Sequence, residues 1–172
     1  MIIDTHAHYD DEAFDTDREA LLMSMYDGGI EKIVNVCASV GGFQDTVKLM
    51  EKYPFVYGAV GIHPDDADKM TQETLDEIRR LSHMDKMVAI GEIGLDYYWS
   101  VEWREQMIEA FRRQVEWARE LDLPMSMHTR AAVPEAVKLL REWGLEGLRG
   151  VFHSFSESEE DLEAILSLGE RF

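Results

Sequence analysis

The chain has 172 residues with 17 basic and 35 acidic side chains, which gives a formal net charge of −18. That length suffices for one ordinary domain with a hydrophobic core, and no apolar run is long enough for a transmembrane helix, which excludes an integral membrane protein. The acidity disfavours a nucleic-acid substrate, because DNA binding normally uses a basic surface. Either the acidic residues lie on outer helix faces and bound metal ions make the site positive, or the substrate is small and uncharged.

Two features bear on the compartment in which the protein works. Cys37 is the only cysteine, so an internal disulfide cannot form and a reducing compartment fits best. The start of the chain has no basic region and no cleavage signature, and no signal peptide is expected. The sequence therefore predicts a cytoplasmic protein without a membrane partner.

Short apolar runs predict strands that are continuous rather than alternating in hydrophobicity, as at residues 88–90. Runs of this kind are typical of parallel strands covered on both faces. We expect six such strands, near residues 1–6, 33–38, 55–62, 87–92, 124–128 and 150–154.

Amphipathic stretches between these runs predict helices. The fourth helix is the clearest, because Met107, Phe111, Val115 and Ala118 recur at a spacing of three or four residues and share one face. Six helices are expected, near residues 16–28, 43–52, 74–82, 102–121, 133–143 and 158–168.

Several residues mark the expected helix ends. Thr74, followed three residues later by Glu77, fits a capping box at the start of the third helix. Gly28 and Gly29 are expected to end the first helix, and Gly144 the fifth.

The regular alternation of strands and helices predicts the fold class. Six βα units in one chain indicate an α/β architecture with parallel strands, an incomplete (β/α)8 TIM barrel. No linker, low-complexity tract or change in composition divides the chain, so residues 1–172 are expected to form a single domain.

Five of the six histidines fall at or just after the predicted carboxyl ends of strands, and His83 is the exception. In a parallel α/β barrel the active site forms at that rim. A lone histidine there would usually be a packing or hydrogen-bonding residue, but five on one rim indicate a shared ligand. These five are His6, His8, His63, His128 and His153.

The residue types on this rim are those of a divalent-metal site. His6 and His8 are two residues apart on a strand, so their imidazoles point the same way, as metal ligands would. His128 and His153 end adjacent strands and could share a second ion. Two ions about 3.5–4 Å apart, bridged by a carboxylate, would polarise a phosphoryl oxygen and activate a water molecule.

Glu92 is the expected bridging carboxylate. It ends an apolar strand, where an unpaired charge would cost several kcal/mol, so a cation is the expected partner. The alternative is a salt bridge to Arg130, which ranks lower because the histidines gather on the same rim.

These motifs together resemble the TatD family, a group of metal-dependent TIM-barrel hydrolases related to the amidohydrolases. The resemblance runs over the whole chain, and the order and spacing of the motifs make it specific. The motifs are IDTHAH at 3–8, AVGIHP at 59–64, AIGEIGLDYY at 89–98, FRRQ at 111–114, MHTR at 127–130 and FHSFS at 152–156.

The resemblance implies a role for each residue on the rim. His6 and His8 would bind one metal ion, His128 and His153 a second, and Glu92 would be the catalytic carboxylate between them. The resemblance also implies that His63 and Asp96 line the substrate site and that Arg130 contacts a phosphate. Asp4 is expected behind a ligating imidazole, since such rings usually donate their other N–H to a nearby acceptor.

The implied activity is metal-dependent hydrolysis of phosphodiester bonds, often exonucleolytic and directed at single-stranded ends of DNA. The cofactors would be two divalent ions, magnesium or manganese, although zinc suits histidine ligands well. Three positions depart from the usual pattern of the family, namely Asp65, Ser154 and Glu157. Asp65 and Glu157 add negative charge near the rim, which disfavours a polyanion.

The resemblance also implies that part of the barrel is missing. A full (β/α)8 barrel takes about 250 residues, and an aspartate that family members carry in a later strand, as a metal ligand and general base, has no counterpart here. A six-stranded sheet would leave its first and last strands open. We therefore expect a fragment, or a chain that closes by self-association through its open sheet edges.

Three functions are consistent with these observations. The first is a TatD-like nuclease, inactive in this form if the missing aspartate is essential. The second is a related hydrolase of a small ester, amide or lactone, since fold alone does not fix the substrate. The negative net charge and Asp65 favour this function. The third is a metal-binding chain without turnover.

Overall fold

Six parallel strands form a sheet that curls into a half-barrel in the computed structural model, which describes residues 2–172. Neighbours in the sheet are also neighbours in sequence, so the order is β1 to β6 without interruption. This confirms the predicted α/β class with six parallel βα units. The strands are β1 (Ile2–Ala7), β2 (Ile30–Val36), β3 (Val56–Val60), β4 (Met87–Asp96), β5 (Met125–Arg130) and β6 (Gly150–Phe152).

A helix follows each strand, as the alternation of patterns predicts. Short 3-10 helices at Glu12–Phe14, Val40–Gly42 and Pro64–Lys69, which the sequence did not predict, lie between strands and helices. The helices are α1 (Arg18–Asp27), α2 (Phe43–Lys52), α3 (Gln72–Leu81), α4 (Arg104–Glu120), α5 (Val133–Trp143) and α6 (Glu159–Leu166).

The strand β4 is longer than predicted. The apolar run indicates an end at residue 92, but the strand continues to Asp96 because it stays paired with β5, where Gly94 pairs with His128 and Asp96 with Arg130. The prediction that Glu92 ends its strand is therefore wrong. Glu92 lies in the middle of β4, with strand on both sides.

Helix ends follow local hydrogen bonding. Gly28 and Gly144 cap α1 and α5 at their carboxyl ends, as expected. The capping box predicted at Thr74 and Glu77 is wrong, because α3 begins two residues earlier and the Thr71 hydroxyl accepts the hydrogen bond from the backbone N–H of Thr74.

The core lies between the helices and the sheet. The predicted apolar face of α4 is buried against β4, β5 and α5, with Phe111 fully buried at its centre. Packing of this face holds β4 and β5 in place against α4. These two strands carry several of the polar residues of the candidate site. The buried α4 residues are Met107, Ala110, Phe111, Gln114, Val115 and Ala118.

The two outer strands are open along one edge. Within residues 2–172, β1 pairs only with β2 and β6 only with β5. Ile2, Ile3 and Val151 on these strands are exposed apolar side chains, as an unclosed barrel would leave them. No helix in the described residues combines the length and apolarity needed to cross a bilayer.

Candidate metal centre

The centre of the candidate site is the carboxylate of Glu92. Only 2% of this residue is exposed, and the apolar residues Ile90, Ile93 and Leu95 of the same strand are fully buried around it. A carboxylate in such a position needs partners that compensate for lost hydration.

Five imidazoles supply those partners, and they divide between the two carboxylate oxygens. Oε2 of Glu92 lies 3.5 Å from Nε2 of His6 and 3.7 Å from Nε2 of His8. Oε1 lies 2.9 Å from Nδ1 of His128 and 3.6 Å from Nε2 of His63, and it contacts Nε2 of His153. The carboxylate thus stands between two groups of imidazoles.

Two sets of donor atoms are close enough together to hold a cation. Within each set, ligand atoms lie within 4.8 Å of one another, and Glu92 belongs to both. One set adds His6 and His153, and the other adds His63 and His128. The sequence expectation pairs the imidazoles differently and gives His63 to the substrate, so the assignment of each ligand to an ion stays a prediction.

A hydrogen bond at one ring nitrogen of His8 leaves the other ring nitrogen facing the centre of the site. Nδ1 of His8 lies 2.6 Å from the carbonyl oxygen of Val36, and because a carbonyl only accepts, Nδ1 carries the proton. In a neutral ring the lone pair would then be on Nε2, which faces Nε2 of His6 at 3.1 Å. The other nitrogen of His6 lies 3.0 Å from the hydroxyl of Ser126.

The residues present fit a bound cation. Nε2 of His153 is buried against Glu92 without a hydrogen bond of acceptable geometry, and a buried nitrogen rarely stays unsatisfied. A divalent ion among the imidazoles and the carboxylate would take up this lone pair. The backbone carbonyl behind His8 and the hydroxyl beside His6 are the kind of outer partners that orient ligating rings.

Asp4 is not one of these outer partners. Its carboxylate accepts a hydrogen bond from the backbone N–H of His6 at 3.1 Å rather than from an imidazole. The expectation that Asp4 orients a ligating ring is wrong, and Ser126 of β5 takes that position beside His6. The sequence could have indicated Ser126, because a serine two residues before His128 on a predicted strand lies on the same face as the histidine.

The electrostatics of the site favour an ionised Glu92. Burial by itself raises the pKa of this carboxyl, but the surrounding imidazoles, with those of His128 and His153 foremost, outweigh burial and hold the pKa well below its usual range. Burial also acts to lower the pKa of His128, yet hydrogen bonds to Glu92 and Asp96 raise it overall.

His128 lies between two carboxylates. Its Nδ1 faces Glu92, and its Nε2 lies 2.9 Å from Oδ2 of Asp96. Without a metal ion both nitrogens therefore carry protons, and binding of an ion by this ring would release one. Asp96, which is 2% exposed, is thus tied to the centre of the site.

Gly94 sets the position of His128. It has a φ of +141°, and a Cβ added there would lie 2.0 Å from the carbonyl oxygen of His128. Only glycine permits this approach of β4 to β5. The close approach brings the His128 ring beside Glu92.

Arg130 is outside the cluster and does not pair with Glu92, so the salt bridge considered as an alternative is not present. Its guanidinium lies 3.9 Å from the ring centroid of Tyr98 and 5.3 Å from that of Trp99. The sequence interpretation assigned no role to these two aromatic residues, although their place directly after the site motif was visible in the chain.

Cavities flank the cluster on both sides. One of about 480 Å³ adjoins His8 and has acidic walls that include Asp10, Asp11 and Asp45. A second of about 300 Å³ adjoins His128, Arg130 and His153. Both give a ligand access to the imidazoles from outside.

A buried carboxylate surrounded by imidazoles, at the mouth of a parallel barrel-like sheet, is the arrangement of a metal-dependent hydrolase. The chain belongs to the TatD related DNase family, whose model matches residues 3–172.

Characterised and uncharacterised relatives agree with this membership. The chain is 40% identical to the uncharacterised metal-dependent hydrolase YabD of Bacillus subtilis, over 93% of this chain and 63% of YabD. It is 32% identical to the 3'-5' ssDNA/RNA exonuclease TatD of a Pantoea species, over 91% of this chain and 60% of that enzyme.

Solved structures match the fold. The crystal structure of YjjV, a TatD homologue from Escherichia coli, superposes with a TM-score of 0.88 at 31% identity, over 97% of this chain and 65% of YjjV. A TatD-family hydrolase from Entamoeba histolytica gives a TM-score of 0.86 at 26% identity. The chain spans 63% of YabD and 60% of the Pantoea exonuclease, so it matches somewhat under two thirds of these relatives.

Proposed function

We propose that the chain forms the metal-binding part of an enzyme that hydrolyses phosphodiester bonds of DNA with two divalent ions, magnesium, manganese or zinc. The observation that carries the proposal is the buried Glu92 carboxylate with imidazoles at both oxygens. A nucleic-acid substrate is supported by the similarity to the Pantoea enzyme that is named for exonuclease activity on single-stranded DNA and RNA.

The geometry supports Glu92 as a bridging ligand. Its Oε2 faces His6 and His8, and its Oε1 faces His128 and His153, so each oxygen is available to a different ion. Two bound ions would polarise the phosphoryl group and lower the pKa of a water molecule.

The remaining residues act on the substrate in this proposal. Asp96 holds the proton on Nε2 of His128 and so fixes the orientation of that ring. His63 accepts the backbone N–H of Asp65 at Nδ1, which turns its Nε2 towards the site. Arg130 supplies a positive charge at the rim for a phosphate.

The test is the release of nucleotides from single-stranded DNA with manganese or magnesium. We expect release that EDTA abolishes and that His6→Ala lowers at least about 100-fold, because a lost ligand removes several kcal/mol of transition-state stabilisation. The exposed His83 after α3 provides the matched control, and His83→Ala should behave as the parent chain.

Three results would contradict the proposed nuclease activity. Release that persists in EDTA would contradict the proposal, and so would an equal loss in His6→Ala and His83→Ala. The absence of release at every metal concentration would contradict a nuclease activity of this chain.

A hydrolase of small uncharged esters, amides or lactones is the second candidate. The net charge of −18 and the acidic cavity beside His8 favour it, because carboxylates repel phosphates but not a neutral ester. Assays of neutral esters and of phosphodiesters side by side would distinguish the two functions.

Two further properties follow as proposals. A cytoplasmic location is supported by the single buried thiol of Cys37. Self-association through the open edges of the sheet is supported by the exposed Ile2, Ile3 and Val151. Light scattering after size-exclusion chromatography tests the second, and we expect a mass above that of one chain; a well-folded monomer would contradict it.

A further inference from the structure

Two exposed aromatic side chains lie directly beside the candidate metal centre. Tyr98 is 57% exposed and Trp99 is 69% exposed, and they follow β4 immediately after Asp96. Exposing large apolar rings to water is unfavourable, so covering them with a ligand or a partner lowers the free energy. Their position next to the site points to a ligand rather than to packing.

The start of the loop that carries the aromatic pair is tied to the imidazoles. The backbone N–H of Tyr98 donates to Oδ1 of Asp96 at 2.9 Å, and Oδ2 of the same carboxylate lies 2.9 Å from Nε2 of His128. Asp96 therefore joins the backbone at Tyr98 to the centre of the site through two hydrogen bonds, and the ring of Trp99 packs edge-on against that of Tyr98 with centroids 4.8 Å apart. A group bound on the rings would be held close to any ions at Glu92.

Arg130 provides a charge beside the rings. Its guanidinium lies over the ring of Tyr98 at 3.9 Å from the centroid, and in the part of the chain that the structure describes no carboxylate forms an ion pair with it. The register pairs Arg130 with Asp96, two residues beyond the pair of His128 and Gly94. Two residues of a parallel strand span about 6.6 Å, which is of the order of one nucleotide.

A cavity of about 320 Å³ adjoins Trp99. Its apolar walls are Pro64, Trp99, Trp103 and Met107, and Asp96 lies in its wall towards the metal centre. Binding sites for small ligands begin at about 300 Å³, so this cavity is at the lower end of that range, which suits a single base.

We propose that Trp99 is a stacking surface for an unpaired nucleobase at the end of a single-stranded nucleic acid, with Tyr98 holding Arg130 against the adjacent phosphate. This inference rests on the proposed function and names its substrate class. Every base has a π-face, so stacking of this kind is tolerant of sequence. In a duplex each base is held by its pairing partner, whereas an unpaired base at an end is free to turn onto the exposed ring, which favours an unpaired end.

The negative charge of the protein favours contact with only a few nucleotides of the strand. Asp65 lines the same cavity as Trp99, and with Arg130 as the cation at the rim, few phosphates can be neutralised. Affinity for single strands falls with salt by a slope of about −0.7 per neutralised phosphate. We therefore expect stacking, rather than a track of phosphate contacts, to supply most of the affinity for the terminal nucleotide.

Quenching of tryptophan fluorescence tests the proposal without any turnover. The probes are a tetrathymidylate and the same oligonucleotide with abasic residues at both ends, titrated into the chain with calcium. We expect the intact probe to quench emission and to bind about 5- to 150-fold more tightly than the abasic probe, which is the effect of one base–aromatic stack.

Variants assign the effect to Trp99. Trp99→Ala should remove the quench and the difference between the two probes, and Trp99→Phe should restore most of the difference. Trp117→Phe, a change at a partly buried tryptophan of α4, should leave both unchanged. Equal binding of the two probes, or a difference that survives in Trp99→Ala, would overturn the proposal.

The same measurement distinguishes this inference from the proposed function. A base-dependent quench with no metal-dependent release of nucleotides would keep the stacking surface and contradict the nuclease activity. Release of nucleotides with equal binding of the two probes would keep the nuclease activity and contradict the stacking surface.

Discussion

Replacing Glu92 with glutamine is expected to abolish tight metal binding and to lower metal-dependent hydrolysis at least about 100-fold. The substitution keeps the shape of the side chain but removes the charge that both groups of imidazoles share. The amide nitrogen also directs a donor at a ring nitrogen or an ion, where a lone pair is required. Isothermal titration of the metal-free chain with manganese, together with an assay of phosphodiester hydrolysis, measures both effects.

Glu146→Gln is the matched control for this change. It alters the same charge at an exposed position between α5 and β6, before the amino end of the strand whose carboxyl end leads to His153. Metal affinity and hydrolysis should stay at the level of the parent chain. Unchanged manganese binding in Glu92→Gln, with a normal circular dichroism spectrum, would contradict the central position given to Glu92.

The order of the fold was predictable because its signals are local. Continuous apolar runs and amphipathic stretches placed all six strands and all six helices within a few residues of their observed positions. The rule that active sites form at the carboxyl rim of parallel strands then brought His6, His63, His128 and His153 together without any coordinates.

The length of β4 was not predictable from hydrophobicity. The apolar run before Glu92 reads as a complete strand, whereas pairing with β5 carries the strand on to Asp96. That pairing depends on Gly94, whose conformation allows the two backbones to approach. A charged residue such as Glu92 can lie inside a strand because a neighbouring strand pairs with the residues beyond it. The hydrophobic pattern of one strand carries no information about that pairing.

The roles of individual histidines depended on distances between strands. The sequence places His63 on the rim, and the resemblance assigns it to the substrate, yet its Nε2 lies 3.6 Å from Glu92 and within one of the two donor sets. Likewise the contact of Arg130 with Tyr98 joins the end of β5 to the loop that follows β4, more than thirty residues away in the chain. Such contacts become visible only when the curvature of the sheet is known.

Gly94→Ala is expected to destabilise the chain by at least about 3 kcal/mol, the sum of backbone strain and overpacking. The new Cβ would lie 2.0 Å from the carbonyl oxygen of His128 and 3.1 Å from its carbonyl carbon. Neither atom can withdraw without separating β4 from β5 at the pair of Gly94 and His128. Urea denaturation followed by circular dichroism measures the loss.

Gly29→Ala separates the two contributions to that loss. Gly29 also has a positive φ, +101°, but a Cβ there would meet nothing within 4 Å. It should therefore show only the conformational cost, about 1–2 kcal/mol. The additional destabilisation of Gly94→Ala over Gly29→Ala measures the steric clash. Because the clash moves His128 away from Glu92, manganese binding should weaken in Gly94→Ala and not in Gly29→Ala. Equal destabilisation by the two variants would mean that β4 and β5 can separate at this point without cost, and that close strand packing does not hold His128 in place.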